Sequence, residues 1–463
     1  MLQLLPHQVA GIEFLQDHPR AILADEMGLG KTAQAILASK ESGATQILVV
    51  CLKSLKRNWA DEIKLWWPEA TIRIIYGTQK QREDQWTDDV NFHIASYETM
   101  LRDMALLTYD WHVMICDEAH KFLRHRSTKT YRCIKEIARF CRRCYLLTGT
   151  PIVTEPKDLW SMLNILDHYT FRSYWKFVRA HCNVSYNGFG YSIEGALNCD
   201  YTAEVLSPWL IRRTKVTAGL KMPLKQFTTV WVNLNSRQRK HYDEMFKYCW
   251  THFPETDEHI TVVNIVSQIL RLRQITISPD LIQEDSQKLT GAKIDALLDL
   301  LSSAEGTPVV IFSQFKEALL RLKPILEKAH YKPFLYTGGM TEIERDEVLK
   351  AFQACPNGQL LCVTSAGGIG LNMTNAHIAI FLDKDWAPAN NVQAQDRLHR
   401  LGQNENVMIY ELLTRNTIEE ALEHLLDRRM FDTNQILTHK ALQQILEYAQ
   451  ELTQTTHEIP ENE

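Results

Sequence analysis

Eight short runs of aliphatic and β-branched residues constrain this chain more than any other feature, because they fall into two sets. AILAD (21–25), ILVVC (47–51), HIAS (93–96), VMICD (113–117) and CYLLTG (144–149) make the first. TPVVIFS (307–313), QLLCVTS (359–365) and HIAIFLD (377–383) make the second. Most are apolar at consecutive positions, so both faces of each strand need cover. Parallel sheets flanked by helices meet that demand, and the segments after these runs carry longer polar–apolar patterns. The expected fold class is α/β, with two parallel sheets. A chain of 463 residues is long enough for two or three cores.

Between the two sets, residues 156–300 read as mostly helical, with Trp, Leu and Tyr at helical spacing in DLWSMLNIL and RQRKHYDEMFKYCW. Near the end, one amphipathic segment (ALQQILEYAQEL) precedes a polar tail with nothing to build a core from. The net charge of −5 excludes a polycation, so any nucleic-acid contact needs a local basic surface. HKFLRHRSTKTYRCIKEIARFCRRC (120–144) is a candidate, readable either as a solvated helix face or as a phosphate-tracking patch. No apolar run approaches the roughly 20 residues of a membrane helix. The start, MLQLLPHQVAG, lacks the features of a signal peptide. The expected location is cytoplasmic, in a bacterium or a viral host, or nuclear in a eukaryote. Cys141 and Cys144 form a C-x-x-C without a second pair nearby, which favours free thiols over a zinc site.

Three stretches carry chemistry. ADEMGLGKT (24–32) lies between a strand and a helical pattern and ends like a phosphate-binding loop. Amides at the helix start would face phosphates, with Gly28, Leu29 and Gly30 forming the loop and the two glycines allowing close approach. Lys31 would pair with the β and γ phosphates and Thr32 would hold Mg²⁺. The usual pattern wants a glycine where this chain has Asp25. VMICDEAH delivers Asp117 and Glu118 to a strand end, one suited to Mg²⁺ and the other to polarising a water. In QAQDRLHRLGQ, Arg397 and Arg400 are three apart and would share one face of a helix, able to reach a transferring phosphate.

Together these residues resemble the SWI/SNF-type branch of helicase superfamily two, in which Asp replaces the first loop glycine as a rule. The resemblance continues in order along the chain. LPHQVAGIEFL resembles the adenine-reading segment, with Gln8 as reader. ILVVCLKSLKRNW and IASYETM resemble DNA-contacting segments. LLTGTP, with Thr148, Gly149 and Thr150, resembles the motif coupling hydrolysis to movement. WLIRRTK (209–215) and QILRLRQITISPDLI resemble signatures of the middle region. VVIFSQF, YTGGMTEIER, VTSAGGIGLNMTNA and QAQDRLHRLGQ resemble second-lobe motifs. Thr364, Gly368, Gly370 and Gln393 fall within them.

The resemblance implies two RecA-like lobes with ATP between them. It implies a DNA-dependent ATPase using Mg²⁺ and translocating on double-stranded DNA through backbone contacts, remodelling DNA or protein–DNA complexes. A protein partner that supplies targeting is expected, and no membrane. The expected division is a first lobe at 1–155 with a helical insertion at 156–225. A linker and second insertion occupy 226–300, the second lobe 301–425, and a C-terminal helical segment with a polar tail 426–463. Leu52, Ala387, the stretch after TGTP, and RQITISP depart from the usual family residues, which suggests a divergent, compact branch without appended modules. A fork-remodelling or annealing helicase, and a low-activity DNA-binding scaffold, remain open alternatives.

Overall fold

A computed structural model describes the chain except residues 1–3, 88, 104–109, 150, 152–155, 187–190, 198, 221, 252–257, 284–287, 305, 356–358, 365–372, 387, 401, 428–438 and 456–463. It divides into two compact units, residues 1–221 and 222–463.

The first unit is built on seven strands: β1 (Arg20–Leu23), β2 (Ile47–Cys51), β3 (Ile72–Ile74), β4 (Phe92–Ser96), β5 (Val113–Cys116), β6 (Arg143–Leu147) and β9 (Leu210–Ile211). Their order is β3-β4-β2-β5-β6-β1-β9, with every neighbouring pair parallel. Side chains alternate between faces. Leu48, Val50, Met114, Cys116 and Leu146 enter one cluster with Trp111, Ile134 and Leu163. Ile47, Val49, Ile115 and Leu147 are equally buried between them in sequence. A hairpin, β7 (Cys182–Tyr186) and β8 (Tyr191–Ala196), stands apart as a two-stranded antiparallel sheet.

The second unit has six strands: β10 (Lys225–Val232), β11 (Val309–Ser313), β12 (Lys332–Tyr336), β13 (Gln359–Thr364), β14 (Ile378–Phe381) and β15 (Val407–Thr414). They run in the order β10-β15-β14-β11-β13-β12, again all parallel. The helix His439–Thr455 packs Ile445, Leu446 and Ala449 against Tyr242, Leu272, Ile418 and Ala421. The polar end beyond it lies outside the described residues.

All eight apolar runs form strands, in two parallel sheets. The middle region is less helical than its spacing suggests, because it also contains the β7–β8 hairpin, β9 and β10. β10 is an edge strand of mixed sequence (KQFTTVWV) with its middle exposed, so it lacks the continuous apolar signature of an interior strand. Within the basic run 120–144 the helix Lys129–Ala138 is amphipathic, burying Tyr131, Ile134 and Ile137 and exposing Lys129 and Arg132. Cys141 and Cys144 lie buried in the first core, and burial pushes the Cys144 thiol up to about 11. Among the described residues no helix is long and apolar enough to cross a membrane.

Candidate nucleotide-binding and hydrolysis site

In a parallel sheet all strands end on the same edge, and ligands collect there. β5, β6 and β1 are adjacent, so the loops after them meet. The loop after β1 is the phosphate-loop candidate. Gly28 (φ 87°) and Gly30 (φ 75°) both adopt left-handed backbone, and Gly30 caps the helix Lys31–Glu41. A Cβ on Gly30 would collide with Gln8 Nε2, so the Gln8 side chain lies directly over the loop. His7 Nε2 lies 3.1 Å from Leu29 O. Lys31 Nζ donates to Asp25 O at 2.6 Å and to Glu26 O at 3.3 Å, holding its ammonium over the loop's own carbonyls. Thr32 follows in the first turn, half-buried.

The missing loop glycine has a structural explanation. Asp25 is 0% exposed and takes hydrogen bonds from Arg213 Nε (2.9 Å), the second guanidinium nitrogen (2.5 Å) and the Arg213 backbone N (3.1 Å). Gln34 Nε2 adds a fourth at 3.2 Å. The segment carrying Arg213 runs alongside the loop as a continuation of β9. Ile22 N, Ala24 N and Glu26 N donate to Trp209 O, Ile211 O and Arg213 O at 2.7 to 2.8 Å. Lys215 N then donates to Glu26 Oε2 at 2.7 Å. A glycine at position 25 could make none of the side-chain contacts. WLIRRTK stood out in the sequence, but nothing there paired Arg213 with Asp25, 188 residues away.

After β5, Asp117 and Glu118 sit side by side. Burial, and then the neighbouring Glu118, push the Asp117 carboxyl up to about 6, against a hydrogen bond from Trp59 and the charge of Lys31. Glu118 adopts φ 48°, a left-handed conformation that a β-carbon disfavours. Its Oε2 is enclosed and receives no hydrogen bond among the described residues, with His120 Nδ1 3.5 Å away. Burial drives His120 down to about 4, so the imidazole is neutral at pH 7 and this contact is not an ion pair there. His120 Nδ1 lies 2.9 Å from Thr148 Oγ1 at the end of β6, linking the acidic pair to the TGTP segment. Gly149 completes the edge: a Cβ there would stand 2.7 Å from Met27 Cγ and 3.7 Å from Lys31 Nζ. The sheet thus gathers Gln8, Gly28, Leu29, Gly30, Lys31, Thr32, Asp117, Glu118, Thr148 and Gly149. Thr150 lies outside the described residues.

The donors fit a magnesium–triphosphate group. The Asp117 carboxylate and the Thr32 hydroxyl are hard oxygen ligands, and Glu118 Oε2, enclosed and without a hydrogen bond among the described residues, is an acceptor for a water's proton.

In the second unit Thr364 ends β13, buried and paired with Ser313 of β11. Gly368 and Gly370 lie outside the described residues. The helix expected to carry both arginines stops short of them: it spans Pro388–Gln395, and the chain continues in tight turns. Arg397 N donates to Ala394 O and His399 N to Gln395 O, so the coil persists without a regular helix. Each guanidinium is steadied by the backbone four residues earlier, Arg397 Nε on Gln393 O at 3.1 Å and Arg400 Nε on Asp396 O at 3.2 Å. Trp386 packs beside the C-terminal helical cluster, with Arg273 over its ring at 5.2 Å.

The SNF2-related domain profile matches residues 7–281, and the helicase conserved C-terminal domain profile matches 292–402. The chain belongs to the SNF2-related family of helicase-like ATPases. This SNF2-related chain is 30% identical over 450 residues to Chromodomain-helicase-DNA-binding protein 1-like of Danio rerio, covering 91% of this chain and 42% of that protein. It is 28% identical over 456 residues to the putative ATP-dependent helicase/translocase YwqA of Bacillus subtilis, covering 94% and 49%. Nuclear protein STH1/NPS1 of Saccharomyces cerevisiae is 30% identical over 460 residues, covering 90% and 34%. The SNF2-related chain therefore spans half or less of the length of these relatives. Among solved structures, the Sulfolobus solfataricus SWI2/SNF2 ATPase core in complex with dsDNA is 26% identical, covering 99% of this chain and 98% of that one, with a TM-score of 0.45.

Proposed function

We propose that this SNF2-related chain is an ATP-driven motor that translocates on double-stranded DNA, gripping phosphates without reading bases. The observation that carries the reading is the meeting, on one sheet edge, of the Lys31 loop, the Asp117–Glu118 pair and the His120–Thr148 contact. Such a set suits hydrolysis of a nucleoside triphosphate and a readout of its state. Lys31 pairs with the β and γ phosphates, Gln8 reads the adenine, and Gly28, Leu29 and Gly30 present loop amides. Thr32 and Asp117 would hold a magnesium ion, which would supply positive charge against that developing on the phosphoryl oxygens. Glu118 orients and deprotonates the attacking water.

In the second unit the same reading assigns Arg397 and Arg400 to a transferring phosphate, and Gly368, Gly370 and Gln393 to nucleotide contacts. Thr148, Gly149, Thr150 and Thr364 couple hydrolysis to movement along DNA. Relatives named as a DNA-binding helicase and as a putative helicase/translocase support DNA as the track, and a protein partner supplies targeting.

The test is steady-state ATP hydrolysis without nucleic acid, and with linear duplex, single strands and a fork, alongside triplex displacement. Duplex stimulation with triplex displacement, both lost in Lys31→Ala, is the expected result. Stimulation confined to single strands, with unwinding of the fork, overturns it.

A further inference from the structure

Asp117 is gripped by two side chains from other strand ends. Trp59 Nε1 donates to Asp117 Oδ2 at 2.9 Å, and Tyr97 O–H donates to Asp117 O at 2.8 Å. Trp59 lies on the helix Lys56–Trp66 that follows β2, and Tyr97 opens the helix Tyr97–Asp103 that follows β4. Each is 1% exposed. The Tyr97 ring also stacks on Phe122, centroids 4.0 Å apart, in the short helix just beyond Glu118. Tyr97 therefore holds the acidic turn at two points, the Asp117 carbonyl and Phe122 beyond Glu118. Between those points the backbone adopts its left-handed conformation, which persists only if its surroundings fix it.

We infer that Trp59 and Tyr97 are positioning residues that set the Asp117 carboxylate for a divalent cation, Trp59 through the carboxylate itself and Tyr97 through the backbone of the same turn. The inference rests on the proposed role of Asp117 in ATP hydrolysis. Carboxylates that ligate metals depend on their hydrogen-bond donors, and losing one costs roughly 10- to 100-fold in metal affinity or activity.

Trp59→Phe removes one N–H and Tyr97→Phe one O–H. The assay titrates Mg²⁺ against binding of a fluorescent ATP analogue and measures kcat and KM for ATP. Expected are folded variants with unchanged analogue binding in EDTA and a Mg²⁺ half-saturation raised about 10-fold or more. The kcat falls at nearly constant KM. Wild-type Mg²⁺ half-saturation in both variants overturns the inference. So does a loss of thermal stability with no change in Mg²⁺ dependence, which marks a purely structural role. Lys31→Ala is the separate control: hydrolysis unaffected by it would sink the motor reading itself, whatever Trp59 and Tyr97 do.

Discussion

Replacing Asp25 by glycine restores the common phosphate-loop pattern, yet the structure predicts that it damages the loop. The substitution deletes four hydrogen-bond acceptances at a wholly buried carboxylate and leaves the Arg213 guanidinium, only 14% exposed, against Gln34 and a backbone carbonyl. Breaking a buried pair by removing one partner costs about 3–5 kcal/mol. The added backbone freedom of glycine contributes roughly 0.5–1 kcal/mol more. The damage is local, because Arg213 clamps the segment between β1 and the helix Lys31–Glu41. Hydrogen exchange of peptides covering 24–41 and 209–215 is the right assay, since it reads local opening directly. A loss of 3 kcal/mol corresponds to exchange faster by about 10²-fold. Asp25→Asn with Arg213→Met, which removes both charges, should cost less than the sum of its two single variants by about 0.5–3 kcal/mol, as expected for directly coupled residues. If Asp25→Gly exchanged at the wild-type rate and bound nucleotide as tightly, the loop would not depend on Arg213 and the reasoning would fail.

Gly149→Ala places a methyl 2.7 Å from Met27 Cγ, and overpacking of this kind costs about 1–3 kcal/mol. Weaker binding of a fluorescent nucleotide, by roughly 10-fold, is the expected reading, with overall folding kept by circular dichroism. Arg400→Ala should leave nucleotide affinity within a few-fold while kcat falls by about 10³ or more, as for a lost arginine finger. Equal losses in affinity and turnover would instead mark Arg400 as a simple binding residue.

Interior strands were legible because burial on both faces leaves a continuous apolar run, as in ILVVC and VVIFS. The edge strands β3, β10 and β12 keep polar or exposed positions, and β9 is two residues long, so neither pattern nor length announces them. The phosphate loop and the acidic pair were legible because their chemistry needs fixed residue types at fixed spacing. What stayed hidden were contacts between distant segments. Asp25 with Arg213, and Asp117 with Trp59 and Tyr97, are pairings that only the folded sheet creates. Arg397 and Arg400 were found by type and spacing, but the helix end at Gln395 was not, since QAQDRLHR contains no breaker there.

The short β9 also sets an order of events during synthesis. The strand that feeds the phosphate loop stays an open edge until the ribosome has delivered residues 209–213, long after the rest of that sheet is made. Until then β1 offers unpaired backbone groups on one side, and Asp25 lacks its arginine. A nascent or proteolysed fragment ending near residue 155 would carry both defects at once. Such a fragment should seek a strand from a neighbouring copy and aggregate.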